Sequence, residues 1–201
     1  MRQPVQIGKQ VHLPPRDFES TIAPVLYHAI KVEQDHEREQ MPESRTAALV
    51  AKLKKGGQKT HQILGNLADD QWQTVVYTGP PAWTVRDLLA HFLSAEEALL
   101  SIAQDMASGG PGVPEGFDFE AFNLDEGRRL ADRSPQELLD ALNVARQATL
   151  DWVHTLKEEN LDHMGQHPVL GEISLEAFVL SIYGHQLLHM RDLQHVWERS
   201  R

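Results

Sequence analysis

No cysteine occurs in the 201 residues, and that absence removes disulfides, thiolate nucleophiles, zinc fingers and iron–sulfur clusters at once. Imidazole and carboxylate are left as the strong metal ligands the chain can offer. Basic residues are scarce too: 19 Lys and Arg stand against 29 Asp and Glu, for a formal charge of −10 spread along the chain. A surface of that sign repels phosphate backbones and anionic lipid, so neither nucleic acid nor a membrane is an expected partner. Long apolar runs are missing, and none approaches the ~20 residues that span a bilayer. The stretch from Met1 to Gln10 is polar and carries no apolar signal core, so a cytoplasmic protein is the expectation. No internal repeat, heptad array or low-complexity tract is present. No G-x-S-x-G elbow marks a serine nucleophile. Gly109-Gly110-Pro111-Gly112 lacks the Lys-Ser/Thr that completes a phosphate loop, which makes it an ordinary connection.

Present instead are four amphipathic stretches with clear helix starts, and almost nothing that reads as strand. The first begins at Ser44 and runs through Leu49, Leu53, Leu64 and Leu67, with Gly56-Gly57 permitting a kink or a close helix contact. The second opens at Thr84 with Asp87 three residues on, a short-armed capping box, and ends near Ser108-Gly109-Gly110. The third has Ser134 as cap, Pro135 at the first helical position and Glu137 at the third. The fourth follows Gly171, takes Ser174 as its cap and runs to about Glu198. A long link, Gly109 to Arg133, separates the second and third; it is long enough to join parallel neighbours or to cover a site. Thr21 to Gln40 shows a further helical pattern behind Pro24. The predicted organisation is all-α: an extension over residues 1–43 that supplies one helix or arm packed on the bundle or on a partner subunit, and a four-helix bundle over residues 44–201.

The strongest chemical signal lies in the fourth helix. At about 100° per residue, Phe178, Ile182, His185, His189 and Val196 fall within roughly 40° of one line, so both imidazoles point where the helix buries its apolar face. Burying two unpartnered polar rings costs on the order of a few kcal/mol, and a divalent metal bridging positions i and i+4 removes that cost. Metal centres with an open position commonly use three protein ligands. His91, on the edge of the second helix's apolar stripe, is the best-placed third, with a hydrogen-bonded core histidine as the alternative. A zincin would need Glu after the first histidine, where this chain has Gln186. A di-iron bundle would need two Glu-x-x-His motifs, and Asp192-x-x-His195 has no matching set.

Two segments together resemble a known family: Trp83-Thr84-Val85-Arg86-Asp87-Leu88-Leu89-Ala90-His91, and Gly171-Glu172-Ile173-Ser174-Leu175 leading to Gly184-His185 and His189. They resemble the DinB/YfiT superfamily of metal-binding four-helix bundles, over roughly residues 44–199. The resemblance implies a DinB/YfiT-type bundle with one divalent cation, nickel or zinc, held by His91, His185 and His189. It further implies a metal-dependent enzyme acting on a small molecule, either a hydrolase or a transferase of a low-molecular-weight thiol, and a homodimer. A metal-binding or ligand-binding bundle without turnover is the alternative, because no general base is evident beside the ligands. Tyr183, Gln186 and Asp192 are candidates for orienting the imidazoles. His61 lies close to the first helix's apolar line, whereas His154, His163 and His167 read as a solvated cluster. Trp72, Trp83, Trp152 and Trp197 read as core or interface anchors.

Overall fold

Each long helix starts where a side chain can take a free backbone N–H, and these starts agree with the sequence. Ser44 Oγ accepts from Ala47 N at 3.3 Å, and Ser174 Oγ accepts from Ala177 N at 3.3 Å. Thr84 Oγ1 accepts from Asp87 N at 3.2 Å while Asp87 Oδ2 accepts from Thr84 N at 2.9 Å, closing the capping box. Ser134 and Glu137 close a second one. Caps of this kind contribute ~1 kcal/mol each. The computed structural model describes residues 44–79 and 81–199, together with residues 24, 25, 27 and 28. Its helices there are α1 (Arg45–Leu64), α2 (Val85–Ala107), α3 (Phe119–Arg129), α4 (Pro135–Thr155) and α5 (Leu175–Arg199). The helix expected between Thr21 and Gln40 lies outside the described residues except for Pro24, Val25, Tyr27 and His28, which are helical.

Helices α1, α2, α4 and α5 form the bundle. α1 packs beside α4 and α5, and α2 packs beside the same two, so α1 lies diagonal to α2 and α4 lies diagonal to α5. One end of the core joins Leu49 and Leu53 of α1, Leu99 and Met106 of α2, Leu150 and Val153 of α4, and Phe178 and Ile182 of α5. The other joins Leu64, Leu88 and Leu89, Leu138 and Leu142, and Met190 and Leu193. Read in chain order, these two sets make α2 parallel to α4 and α1 parallel to α5. Parallel neighbours need a long crossover, which is what the link from Gly109 to Arg133 supplies.

Between the two apolar ends sits a polar layer. Glu96 of α2, 1 % exposed, takes Arg146 Nη2 at 2.7 Å, Thr149 Oγ1 at 2.7 Å and Gln186 Nε2 at 3.2 Å, while Arg146 Nη1 donates to the Leu53 carbonyl at 2.9 Å. Helices α2, α4 and α5 thus meet at one buried carboxylate, and Arg146 ties α1 to it. The glycine pair of α1 serves close contact: a Cβ on Gly56 would occupy the ring of Tyr183, and one on Gly57 would come 3.1 Å from Arg146 Cγ.

Two features depart from the sequence reading. The link contains α3, capped by Asp118 and with no buried residue. Two antiparallel hairpins are also present, β1 (Val75–Tyr77) with β2 (Trp83–Thr84), and β3 (Met164–His167) with β4 (Gly171–Ser174). Strands of two to four residues are too short for a period-two pattern to register. Among the described residues no helix is long and apolar enough to cross a membrane.

Candidate metal centre

α2 and α5 pack side by side, and that contact brings His91 to the i, i+4 pair His185 and His189. The Nε2 atoms converge: His91 to His185 is 2.9 Å and His185 to His189 is 3.1 Å. The rings stand nearly perpendicular to one another, with interplanar angles of 76°, 86° and 90°. Two nitrogens bound to one ion at ~2.05 Å and 90–110° apart are separated by about 2.9–3.4 Å. Two of the three pairs therefore already have the spacing of adjacent ligands on a single cation, and all three ligand atoms lie within 4.8 Å of one another.

The protonation state can be read from the hydrogen bonds. Tyr77 Oη donates to Asp192 Oδ2 at 2.9 Å and lies 2.7 Å from His189 Nδ1. A hydroxyl has one proton, and the carboxylate takes it, so the phenol oxygen accepts from His189 Nδ1–H. That fixes the His189 tautomer and leaves its Nε2 lone pair facing the centre. Three Nε2 atoms facing one another cannot all be satisfied by each other's protons. A cation would use all three lone pairs.

Burial holds these rings neutral. Desolvation, then the neighbouring His185, pushes His91 well below the ordinary histidine value; burial followed by His185 and His91 does the same to His189. Burial lowers His185 to about 4. Neutral imidazole is the metal-binding form. His91 Nδ1 is buried without a hydrogen-bond partner, and Asn123 of α3 is the polar side chain near enough to oppose the shift. Hairpin aromatics wall the centre: Trp83 stands 5.0 Å from the His91 ring and Tyr77 5.7 Å from the His189 ring, centroid to centroid.

An apolar cavity opens beside His91 and His185, between α2, the α3 segment and the β3–β4 turn. His167 lines it, buried rather than solvated. Ser181 Oγ donates to the Phe178 carbonyl at 2.6 Å and so accepts from His167 Nε2–H at 3.1 Å, while His167 Nδ1 accepts from Val169 N and Leu170 N, both at 3.1 Å. Both nitrogens are occupied, and His167 acts as a clamp on the turn. Burial holds it neutral, at a pKa of about 3.

Of the orienting residues suggested by sequence, Asp192 reaches the centre through Tyr77, Gln186 bonds Glu96 instead, and Tyr183 packs over Gly56. His61 bonds Asn143 on the exposed side of α1. Tyr77 was not among them. Its available signal was indirect: Asp192 lies three residues after His189, one helical turn along the same face.

Antiparallel α2 and α5 thus bring together three neutral imidazoles, a group that could hold a metal ion, inside a four-helix bundle. The DinB superfamily model matches residues 52–193, and the chain belongs to that superfamily. Among solved structures, YfiT from Bacillus subtilis, described as a probable metal-dependent hydrolase with an unusual four-helix bundle topology, is similar with a TM-score of 0.65 and 18% identity. The match covers 81% of this chain and 91% of YfiT. At that identity the likeness establishes the fold, in agreement with the architecture expected from sequence. No curated protein matches.

Proposed function

We propose that His91, His185 and His189 hold one divalent cation, nickel or zinc, through their Nε2 atoms, and that the protein is a metal-dependent hydrolase of a small molecule. The convergence of the three Nε2 atoms, with the His189 tautomer held by Tyr77, is the observation that carries this reading. Imidazole suits both metals, and the chain offers no thiolate to compete. When bound, such a cation supplies Lewis acidity and lowers the pKa of an acidic group on water or substrate. The chain's own residues do the rest. Tyr77 and Asp192 hold His189 in its ligating tautomer, Trp83 and Tyr77 restrict water around the rings, and the cavity beside His91 and His185 receives the substrate. YfiT, as described, supports the hydrolase form of the reaction.

One observation favours a second reading, transfer of a low-molecular-weight thiol to an electrophile. Among the described residues, no carboxylate lines the cavity, and its lining His167 has both nitrogens occupied. A thiol whose pKa is lowered at a cation needs no protein base. The deciding experiment loads the protein with zinc, nickel or manganese and measures ester and amide hydrolysis beside thiol consumption with a generic electrophile. Hydrolysis lost in His189→Ala supports the first reading, and thiol consumption lost in the same variant supports the second. Silence in all assays with metal fully bound would contradict both and leave a binding role.

A further inference from the structure

The cavity beside the histidines has a chemistry of its own. Its walls are Ala98, Leu99 and Ile102 of α2, Phe122 of α3, and Pro168 and Val169 of the β3–β4 turn, while His91 and His185 form the face toward the proposed metal. Among the described residues, none that carries a formal charge lines it; the polar side chains are Asn123 and the three histidines, of which His167 is fully hydrogen-bonded. A charged group entering would be desolvated without a counter-charge, at a cost well beyond that of a neutral polar group. An alkyl group entering would lose only water.

Volume narrows the class further. The cavity measures about 80 Å³. An apolar cavity of ~150 Å³ accepts benzene, or roughly 25 Å³ per carbon. On that scale about three carbons fit, too few for an aromatic ring.

We propose that this cavity is a specificity subsite for a short, uncharged, branched alkyl group of about three carbons, attached to the substrate group that meets the metal. The proposal rests on the metal-site reading above. The subsite works by shape and apolar burial, and it sets which small molecule presents its reactive group to the three histidines. Ala98 and Ile102 are half-buried in its wall, so the space can be filled or enlarged from positions that do not touch the imidazole cluster.

The test titrates cobalt(II)-loaded protein with acetohydroxamate, isobutyrohydroxamate, isovalerohydroxamate and octanohydroxamate, following the visible cobalt bands, with metal content and thermal melting measured on the same samples. Each buried methylene should tighten binding about fourfold, giving a gain of about 15-fold from acetohydroxamate to isobutyrohydroxamate and little more for isovalerohydroxamate or octanohydroxamate. Ala98→Phe should abolish the gain while metal content stays at the wild-type value. Ile102→Ala should move the optimum to a longer chain, which a merely damaged fold would not do. Equal affinity for the short and branched probes in the wild type, or an undiminished gain in Ala98→Phe, would overturn the subsite while leaving the metal centre standing. No cobalt binding at all would overturn both.

Discussion

Tyr77→Phe removes one oxygen and leaves the ring packed where it is, so its effect reports on the hydroxyl alone. In the structure that oxygen accepts from His189 Nδ1–H at 2.7 Å and donates to Asp192 at 2.9 Å. His189 is 1 % exposed, so water cannot readily replace the lost acceptor, and an unsatisfied buried N–H costs about 1–3 kcal/mol. The ring can relieve this by moving its proton to Nε2, but that nitrogen is the one that faces the cluster. Either response weakens metal binding, and the loss of an outer hydrogen bond to a ligating histidine typically costs 10–100-fold in affinity. We expect zinc affinity, measured by competition with a chromophoric chelator, to fall by about that factor, or about 1.4–2.8 kcal/mol. Asp192→Asn should fall less, because its side-chain carbonyl still accepts from Tyr77, and the double variant should be no worse than Tyr77→Phe. Zinc affinity within twofold of wild type in Tyr77→Phe, with melting unchanged, would refute the argument.

Glu96→Ala should destabilise the fold by about 3–5 kcal/mol in urea denaturation, because it strands Arg146, 6 % exposed, without its counter-charge; Glu96→Gln should cost less, because its carbonyl oxygen still accepts from Arg146 and Gln186 while its amide donates to Thr149 Oγ1 where the carboxylate accepted. The metal-free protein should lose stability as the pH falls below ~6.5, the ordinary histidine value. His185 and His167, lowered by burial to about 4 and about 3, stay neutral in the folded chain while the unfolded chain takes up protons. Each then weakens folding by up to ~1.4 kcal/mol per pH unit across that window. Denaturation midpoints measured from pH 7.5 to 4.5 should be flat above ~7 and fall below ~6.5; a midpoint that rose with acidity would contradict the burial of these rings.

Much of the site was legible because its signals are local. The caps at Ser44, Thr84, Ser134 and Ser174 are read from residues three positions apart, and the structure places all four helix starts there. His185 and His189 were exposed by their helical phase among apolar neighbours, and the structure brings them together with His91. What stayed hidden depends on distant partners. α3 has no fully buried residue, and its large apolar residues Phe119, Phe122 and Leu124 end before its last turn, too few for a helical stripe to register. His167 sits in the polar run Gln166-His167-Pro168, and only the closing of the β3–β4 hairpin against α5 buries it. Glu96 and Arg146, fifty residues apart, have no shared local pattern, and Tyr77 meets His189 only because the β1–β2 hairpin folds over the bundle's polar centre.

The central claim is that three imidazoles share one cation, and the most direct measurement is metal content by mass spectrometry on protein purified without an affinity tag, beside His91→Ala and His185→Ala. Close to one divalent metal per chain in the wild type, lost in both variants while their helical circular dichroism is retained, is the predicted result. A wild type that holds no metal after incubation with nickel or zinc, or a metal retained in full by both variants, would contradict it.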